Sequence, residues 1–283
     1  MEQPVVTIIG VGLIGGSIAL KLRSLPYAKH VIGVEANEQH AQKALTLGLV
    51  DEILPLAEAV KHSTVVIIAT PVNAALQVIQ QVLPHVTHQT VLDVGSTKVP
   101  IVSAAADFSQ ASNFVPTHPM WGTEFSGPEA ATADAFTNKA VVICSHPALL
   151  ASHLQQAVQL YQALGMHIVY MTPEEHDVHV AYVSHVSHIT SFALANTVLE
   201  KEKEENTIFE LASGGFESTV RLAKSTASMW VPILQQNRDN VLDVLNEHIT
   251  QLRKFKTCLE KENYTYLAEL IEQANSIKKA LKQ

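Results

Sequence analysis

A histidine held between a threonine and a proline, Thr117-His118-Pro119, is the residue of this chain best suited to moving a proton. Pro119 fixes its own φ and drives His118 into extended backbone. Phe114 to Pro116 lead into it as a short apolar run, and Gly122 permits a turn before Thr123 and Glu124. A neutral imidazole on a stiff strand end can serve as a general base, with hydroxyl and carboxylate groups a few residues away. The same pattern also fits a strand ending in a turn with a solvated or core histidine, and other parts of the chain must decide.

Three further groups could do chemistry. Gly95-Ser96-Thr97-Lys98 offers a hydroxyl and backbone donors at a strand end, although Ser96 could equally cap the helix that follows. In Tyr182-Val183-Ser184-His185-Val186-Ser187-His188, the two histidines share a helix face. With His176 and His179 close by, zinc is considered, but there is no HExxH arrangement and no cysteine or carboxylate pair to complete a tetrahedron. No metal is expected. Core histidines or a polar face turned to a substrate remain, with His188 the better candidate for the second. Finally, Ser213-Gly214-Gly215-Phe216-Glu217-Ser218-Thr219-Val220-Arg221 sets a glycine pair before a helix-like segment. Arg221 is suited to bidentate capture of a carboxylate, unless it is simply a surface arginine.

The elements that must position these groups alternate. Val5 to Gly10 reads as a buried strand, followed at once by Gly10-Val11-Gly12-Leu13-Ile14-Gly15 and a helical pattern. This is GxGxxG in strand–turn–helix context. Gly10 makes the turn, Gly12 lets backbone approach a pyrophosphate, and Gly15 lets helix pack on strand, with the anion at the helix N-terminus near Leu13 and Ile14. A second strand, His30 to Val34, ends at Glu35, 20 positions past Gly15. A carboxylate there can accept the ribose hydroxyls and repels a 2′-phosphate, which predicts NAD as cofactor. Strands follow at Thr64 to Thr70, ending at Pro71, at Thr90 to Val94, at Asn113 to Thr117, at Ala140 to Cys144 and at His167 to Met171. Helices are predicted over Asn37 to Leu47, Asn73 to Leu83 and Pro147 to Leu164. Such alternation predicts an α/β domain with a doubly wound, mainly parallel sheet over residues 1–172. Gly10, Glu35, Thr70, Gly95 and His118 would then lie along one ligand-binding edge.

Beyond Thr172 strand-like runs nearly vanish, and residues 173–283 read as an all-helical domain. Pro173-Glu174-Glu175 is a helix start. Glu200 to Glu205 reads as a solvated tip, and Gly214-Gly215 as a break. A helix is predicted over Pro232 to Lys261, with the proline in its first turn, and another over Tyr264 to Ala280. Val241, Leu245, Ile249 and Leu252 are spaced for burial in the domain or against a second subunit.

Composition narrows the function. The chain has 283 residues, 47% of them hydrophobic and 16% charged, enough for a sizeable core. Nineteen Lys+Arg against 27 Asp+Glu give a formal net charge of −8, which argues against a nucleic-acid partner. Cys144 and Cys258 lack CxxC spacing and read as reduced thiols of a cytoplasmic protein. No basic leader precedes Val5, no apolar run approaches the ~20 residues of a membrane span, and no internal repeat appears.

From Thr7 to about Trp230 the ordered motifs resemble the prephenate/arogenate dehydrogenase family of tyrosine biosynthesis. They are GVGLIGGS, Gly95-Ser96 with Lys98, His118 to Glu124, Ser184-His185-x-x-His188, and Gly214-Gly215-Phe216 to Arg221. The glycine motif is widely shared; the others together are far more selective. The resemblance implies an NAD-dependent oxidative decarboxylation of prephenate or arogenate. His118 would be the base on the ring hydroxyl, and Ser96 would share that contact. Thr123 and Glu124 would line and gate the pocket, and His188 and Arg221 would hold the carboxylate, in a substrate-facing stretch that includes Gly215. Glu35 departs from the aspartate common in this family but keeps the charge. The resemblance also implies a homodimer formed by the helical domain. With neither a regulatory nor a mutase domain in view, the chain resembles the stand-alone form. Two other classes are weighed: a 3-hydroxyacid or imine reductase, which would favour a catalytic lysine or aspartate on the long helix, and a silent dinucleotide sensor, which would need neither His118 nor Arg221.

Overall fold

The computed structural model describes residues 3–25, 27–205 and 207–281. Its first half is a sheet built from β1 (Val5–Ile9), β2 (His30–Val34), β3 (Glu52–Ile53), β4 (Val65–Ile68), β5 (Thr90–Asp93), β6 (Phe114–Pro119), β7 (Ala140–Cys144) and β8 (His167–Met171). The strand order is β3-β2-β1-β4-β5-β6-β7-β8, and every pair is parallel except β6 with β7. β4 and β5 are buried along their whole length. That explains their continuous apolar runs, because helices cover both faces of such a sheet. Apolar residues of α1 (Leu13–Ser24) and α2 (Glu38–Thr46) join the core on one face, and those of α3 (Leu56–His62), α4 (Val72–Val82) and α5 (Val99–Ala105) join a second core on the other. α6 (Ala151–Ala163) adds Ala157, Leu160 and Tyr161 to the first core.

The chain winds from β1 outward to β3, then crosses back to β4 on the other side of β1. That reversal opens a crevice at the carboxyl ends of β1 and β4, the position where doubly wound folds bind ligands. Gly10, Thr70, Gly95 and His118 follow or end strands that run the same way, so they share this edge.

The helical half comprises α7 (Pro173–Val180), α8 (Val186–Glu205), α9 (Gly214–Val220), α10 (Ala227–Gln236), α11 (Arg238–Glu260), α12 (Tyr264–Asn275) and α13 (Ile277–Ala280). Thr172 and Glu175 form a reciprocal capping box that starts α7. A π-helical turn, Ala181–His185, joins α7 to α8. Such turns re-aim the residues after them and recur at functional sites.

Several predicted boundaries change. The Gly214-Gly215 pair opens α9 rather than breaking a segment, because glycine's backbone freedom makes helix costly but does not forbid it, here in a first turn. Pro232 lies inside α10 instead of starting a long helix. The burial of Trp230 and Ile233 against Val72 and Phe192 outweighs the lost backbone bond. The chain breaks at Asn237, whose side chain is drawn to the Asp177 carbonyl at 2.7 Å. α6 begins at Ala151 rather than Pro147, and the chain stops again between α12 and α13. β3 and α3 are too short to announce themselves by periodicity.

Candidate active site

The glycine turn is shaped by steric necessity. Gly10 has φ +91°, and a Cβ there would meet the Ala69 carbonyl oxygen at 2.8 Å. A Cβ on Gly15 would lie 2.1 Å from the Gly10 oxygen, so this position seats α1 against the turn. Gly12 is the opposite case, with nothing within 4 Å of a Cβ, so space is open in front of the N-terminus of α1, where Leu13 and Ile14 begin the helix. Glu35 turns back onto this loop: Val11 N–H donates to one carboxylate oxygen at 3.0 Å, and Asn37 N–H to the other at 3.0 Å. The Thr70 hydroxyl is buried and has no hydrogen-bond partner among the described residues, and Pro71 caps α4 beside it. A buried polar orphan is costly unless a ligand satisfies it. An open cradle at a helix N-terminus, an acidic group beside it and an orphan hydroxyl together fit a dinucleotide.

His118 lies at the end of β6, paired in register with Val142 of β7. Beneath it Lys98, fully buried, donates from Nζ to Asp93 and, at 2.6 Å, to the Thr117 carbonyl. The buried charge is thus paired, as burial demands, and it ties the end of β5 to the residue before His118. The Nδ1 of His118 lies 2.8 Å from Nε2 of His176, and Nδ1 of His176 lies 2.7 Å from Asp177. Nε2 of His118 has no protein partner among the described residues. Burial, then the neighbouring His176 and Lys98, hold the His118 pKa well below the ordinary 6.5, so the ring is neutral near pH 7.

The remaining histidines diverge. His185 is buried, accepts from Asn237 Nδ2 at Nδ1 (3.2 Å), and is pushed down to a pKa of about 4 by burial. His188 stacks on Trp230 with ring centroids 3.5 Å apart and donates from Nδ1 to the Ser184 carbonyl at 3.0 Å. Burial lowers its pKa, and the field of Arg221 lowers it further. Neutral His188 therefore presents a lone pair at Nε2, and grips a carboxylate only as an imidazolium. His179 points away to the Glu175 carbonyl. Among the described residues no three His, Cys, Asp or Glu side chains converge as a metal site would need.

Arg221 ends α9, and its guanidinium lies 3.8 Å from the Glu124 carboxylate, joining the loop after β6 to the helical half. The Thr123 hydroxyl accepts from Phe125 N–H at 3.3 Å in the same loop. Gly215 is exposed in the first turn of α9. Ser96 is half-buried and does not cap α5; Lys98 occupies that cap position, and Asp177 reaches across from α7 to its amide. Sequence reasoning overlooked Asp177 and Asn237, and weighed His176 only for zinc. Their partners lie in segments distant along the chain, and the only local signal was a His-Asp pair in a helix otherwise short of apolar residues.

Residues 18–170 match the family model described as "Prephenate dehydrogenase, nucleotide-binding domain", and residues 172–273 match "Prephenate dehydrogenase, dimerization domain". The prephenate dehydrogenase of Bacillus subtilis (strain 168) is 33% identical over 281 residues, covering 98% of this chain and 76% of that protein. The crystal structure of prephenate dehydrogenase from A. aeolicus, in complex with hydroxyphenyl propionate and NAD+, superposes with a TM-score of 0.91 at 27% identity, covering 100% of this chain and 99% of the other. Synechocystis arogenate dehydrogenase gives a TM-score of 0.80 at 26% identity, covering 98% and 100% of the two chains. With both halves matched in order and the glycine cradle and His118 at one sheet edge, the chain belongs to the prephenate dehydrogenase family.

Proposed function

We propose that this chain catalyses the NAD-dependent oxidative decarboxylation of prephenate to 4-hydroxyphenylpyruvate. The observation that carries the reading is His118: neutral, held through Nδ1, and open at Nε2 on the edge that also carries the glycine cradle. Gly10, Gly12, Leu13, Ile14, Gly15, Glu35, Thr70 and Pro71 would hold NAD+, which supplies the acceptor for the hydride. His118 Nε2 takes the proton of the ring hydroxyl as the C–H bond at the same carbon gives up its hydride. The resulting dienone draws electrons from the opposite ring carbon. The bond to the ring carboxylate breaks, carbon dioxide leaves, and its electron pair completes the aromatic ring. The phenolate oxygen recovers the proton from His118. Ser96, half-buried beside β5, shares the hydroxyl contact.

Arg221 receives the substrate's carboxylate, for which Glu124 acts as a stand-in until substrate arrives. Thr123 and Gly215 line the approach from either side. His188 joins Arg221 at the carboxylate after taking up a proton. Prephenate is favoured over arogenate because no carboxylate among the described residues is clearly placed to pair arogenate's ammonium group, Glu124 being the nearby candidate. Ile249, Leu252 and Leu259 leave an apolar stripe exposed along α11, and it supports a homodimer through the matched dimerization domain. The enzyme works in the cytoplasm, where its two buried cysteines remain as thiols. Incubation with NAD+ and prephenate, then NAD+ and arogenate, tests the reading. A larger kcat/KM for prephenate is expected. A larger value for arogenate would reverse the substrate, and turnover of neither would remove the function.

A further inference from the structure

We infer that Asp177, acting through His176, sets the tautomer of His118 and thereby makes Nε2 its proton-accepting atom. This deepens the proposed function and rests on the reading of His118 as the base. Asp177 and His176 are positioning residues, acting through His118.

The chain of hydrogen bonds has only one consistent polarity. The Lys98 N–H donates to Oδ1 of Asp177 at 2.8 Å, and the Val99 N–H to Oδ2 at 3.0 Å. Backbone amides cannot reverse their role, so both carboxylate oxygens are fixed as acceptors. Oδ1 also lies 2.7 Å from Nδ1 of His176, so that nitrogen must carry the hydrogen. A neutral imidazole has one N–H and one lone pair. His176 Nε2 is then an acceptor, and His118 Nδ1, 2.8 Å away, is the donor. The lone pair of His118 falls on Nε2.

Water cannot stand in for these links, because His176 is 0% and Asp177 2% exposed. Other groups that act on the pair are Lys98 at the start of α5, Asp93 at the end of β5 and His185 in the π-helical turn. Burial disfavours the charged form of both imidazoles, and the Asp177 bond only partly offsets this in His176. Asp177 belongs to the helical half, whereas α5 and His118 belong to the sheet half. The orientation of the base is therefore coupled to the docking of one half on the other. Asn237 reinforces this by donating to the Asp177 carbonyl at 2.7 Å.

The test is Asp177→Asn in the full chain. An amide has one acceptor oxygen for the three N–H groups of Lys98, Val99 and His176 that share the two carboxylate oxygens, so whichever way it turns one of them meets its NH2 group, and the lock on His176 is weakened. By analogy with the orienting carboxylate of hydrolase triads, kcat is expected to fall about 10²–10⁴-fold. KM and NAD+ binding should stay within about threefold, as for a loss confined to the transition state. In ¹⁵N-histidine spectra, the unmodified protein should show His118 protonated at Nδ1 and bare at Nε2, and the variant should gain the reverse tautomer. Retention of more than a third of kcat overturns the inference, and so does a lost kcat with the tautomer unchanged. If Asp177→Asn does not fold, His176→Phe keeps the α5 amides bonded to Asp177 and must give the same tautomer mixing and loss of kcat, or the inference fails. His118→Asn separates the two readings. Full activity in that variant removes His118 as the base, while the ¹⁵N signals of Asp177→Asn still report whether the lock exists.

Discussion

The burial that keeps His118 neutral also decides where its pH dependence falls. A base must be unprotonated to act, and burial holds the His118 pKa well below 6.5. The acid limb of kcat is therefore expected below the free-imidazole value of ~6.5, with turnover flat through neutrality. His118→Asn should lose about 10²–10⁴-fold in kcat, the usual worth of general base catalysis, and should lose that limb while still binding NAD+. If it keeps more than half of kcat, the base lies elsewhere, and His188 is the next to test. Arg221 is half-exposed and faces Glu124. Arg221→Ala should weaken substrate binding by ~1.5–3 kcal/mol, the scale of a charge-assisted bond, and leave NAD+ affinity nearly unchanged. An unaltered KM would take Arg221 out of the site.

At the scale of elements, the β1–α1 turn separates glycines needed for the fold from one needed for the ligand. A Cβ at Gly15 collides with the Gly10 carbonyl, whereas one at Gly12 meets nothing. Gly12→Ala should leave the melting temperature within a few degrees and abolish NAD+ binding, because its methyl group would enter the open cradle. Gly15→Ala should lose both, since backbone has to move. Equal NAD+ affinity in Gly12→Ala and the unmodified protein would show that the cofactor does not approach there. Glu35 has a structural share in this turn as well, because it accepts the amides of Val11 and Asn37. Its carboxylate thus shapes the loop that, on the proposed reading, it also guards against a 2′-phosphate.

For the whole molecule, the buried histidines make stability depend on pH. In His118, His176 and His185 the folded pKa lies below the unfolded value of 6.5, so the unfolded chain binds more protons as acid is added. Their neutral burial stabilises the fold fully above that value and progressively less as pH falls toward the His185 pKa of about 4. Asp93 works the other way, because burial raises its carboxyl pKa. Urea melts from pH 7.5 downward should show a falling midpoint across this window; a constant midpoint would mean that the histidines titrate alike in both states. Assembly is the second property at this scale. The exposed Ile249, Leu252 and Leu259 stripe on α11 should bury against a second copy, and sedimentation showing only monomer at micromolar concentration would count against the dimer.

The sequence by itself determined the parts governed by short-range physics. β-branched runs of four to six residues between glycine and proline could only be buried strands, and their alternation with helices required the doubly wound sheet. The glycine spacing was legible for the same reason, since φ and Cβ collisions act within a few residues. His118 stood out because its neighbouring proline restricts it locally. Tertiary structure alone decided what His118 touches: His176 lies 58 positions further along the chain, and nothing local links the two. It also turned β7 antiparallel to β6, kept Pro232 inside α10 and broke the chain at Asn237. Each of these depends on which surfaces meet in the folded chain, within the sheet for β7, within the helical half for Asn237, and across the two halves where α10 packs on Val72. A hydrogen bond or a buried ring between distant segments leaves no periodicity in the chain, because its partner is selected by packing rather than by spacing.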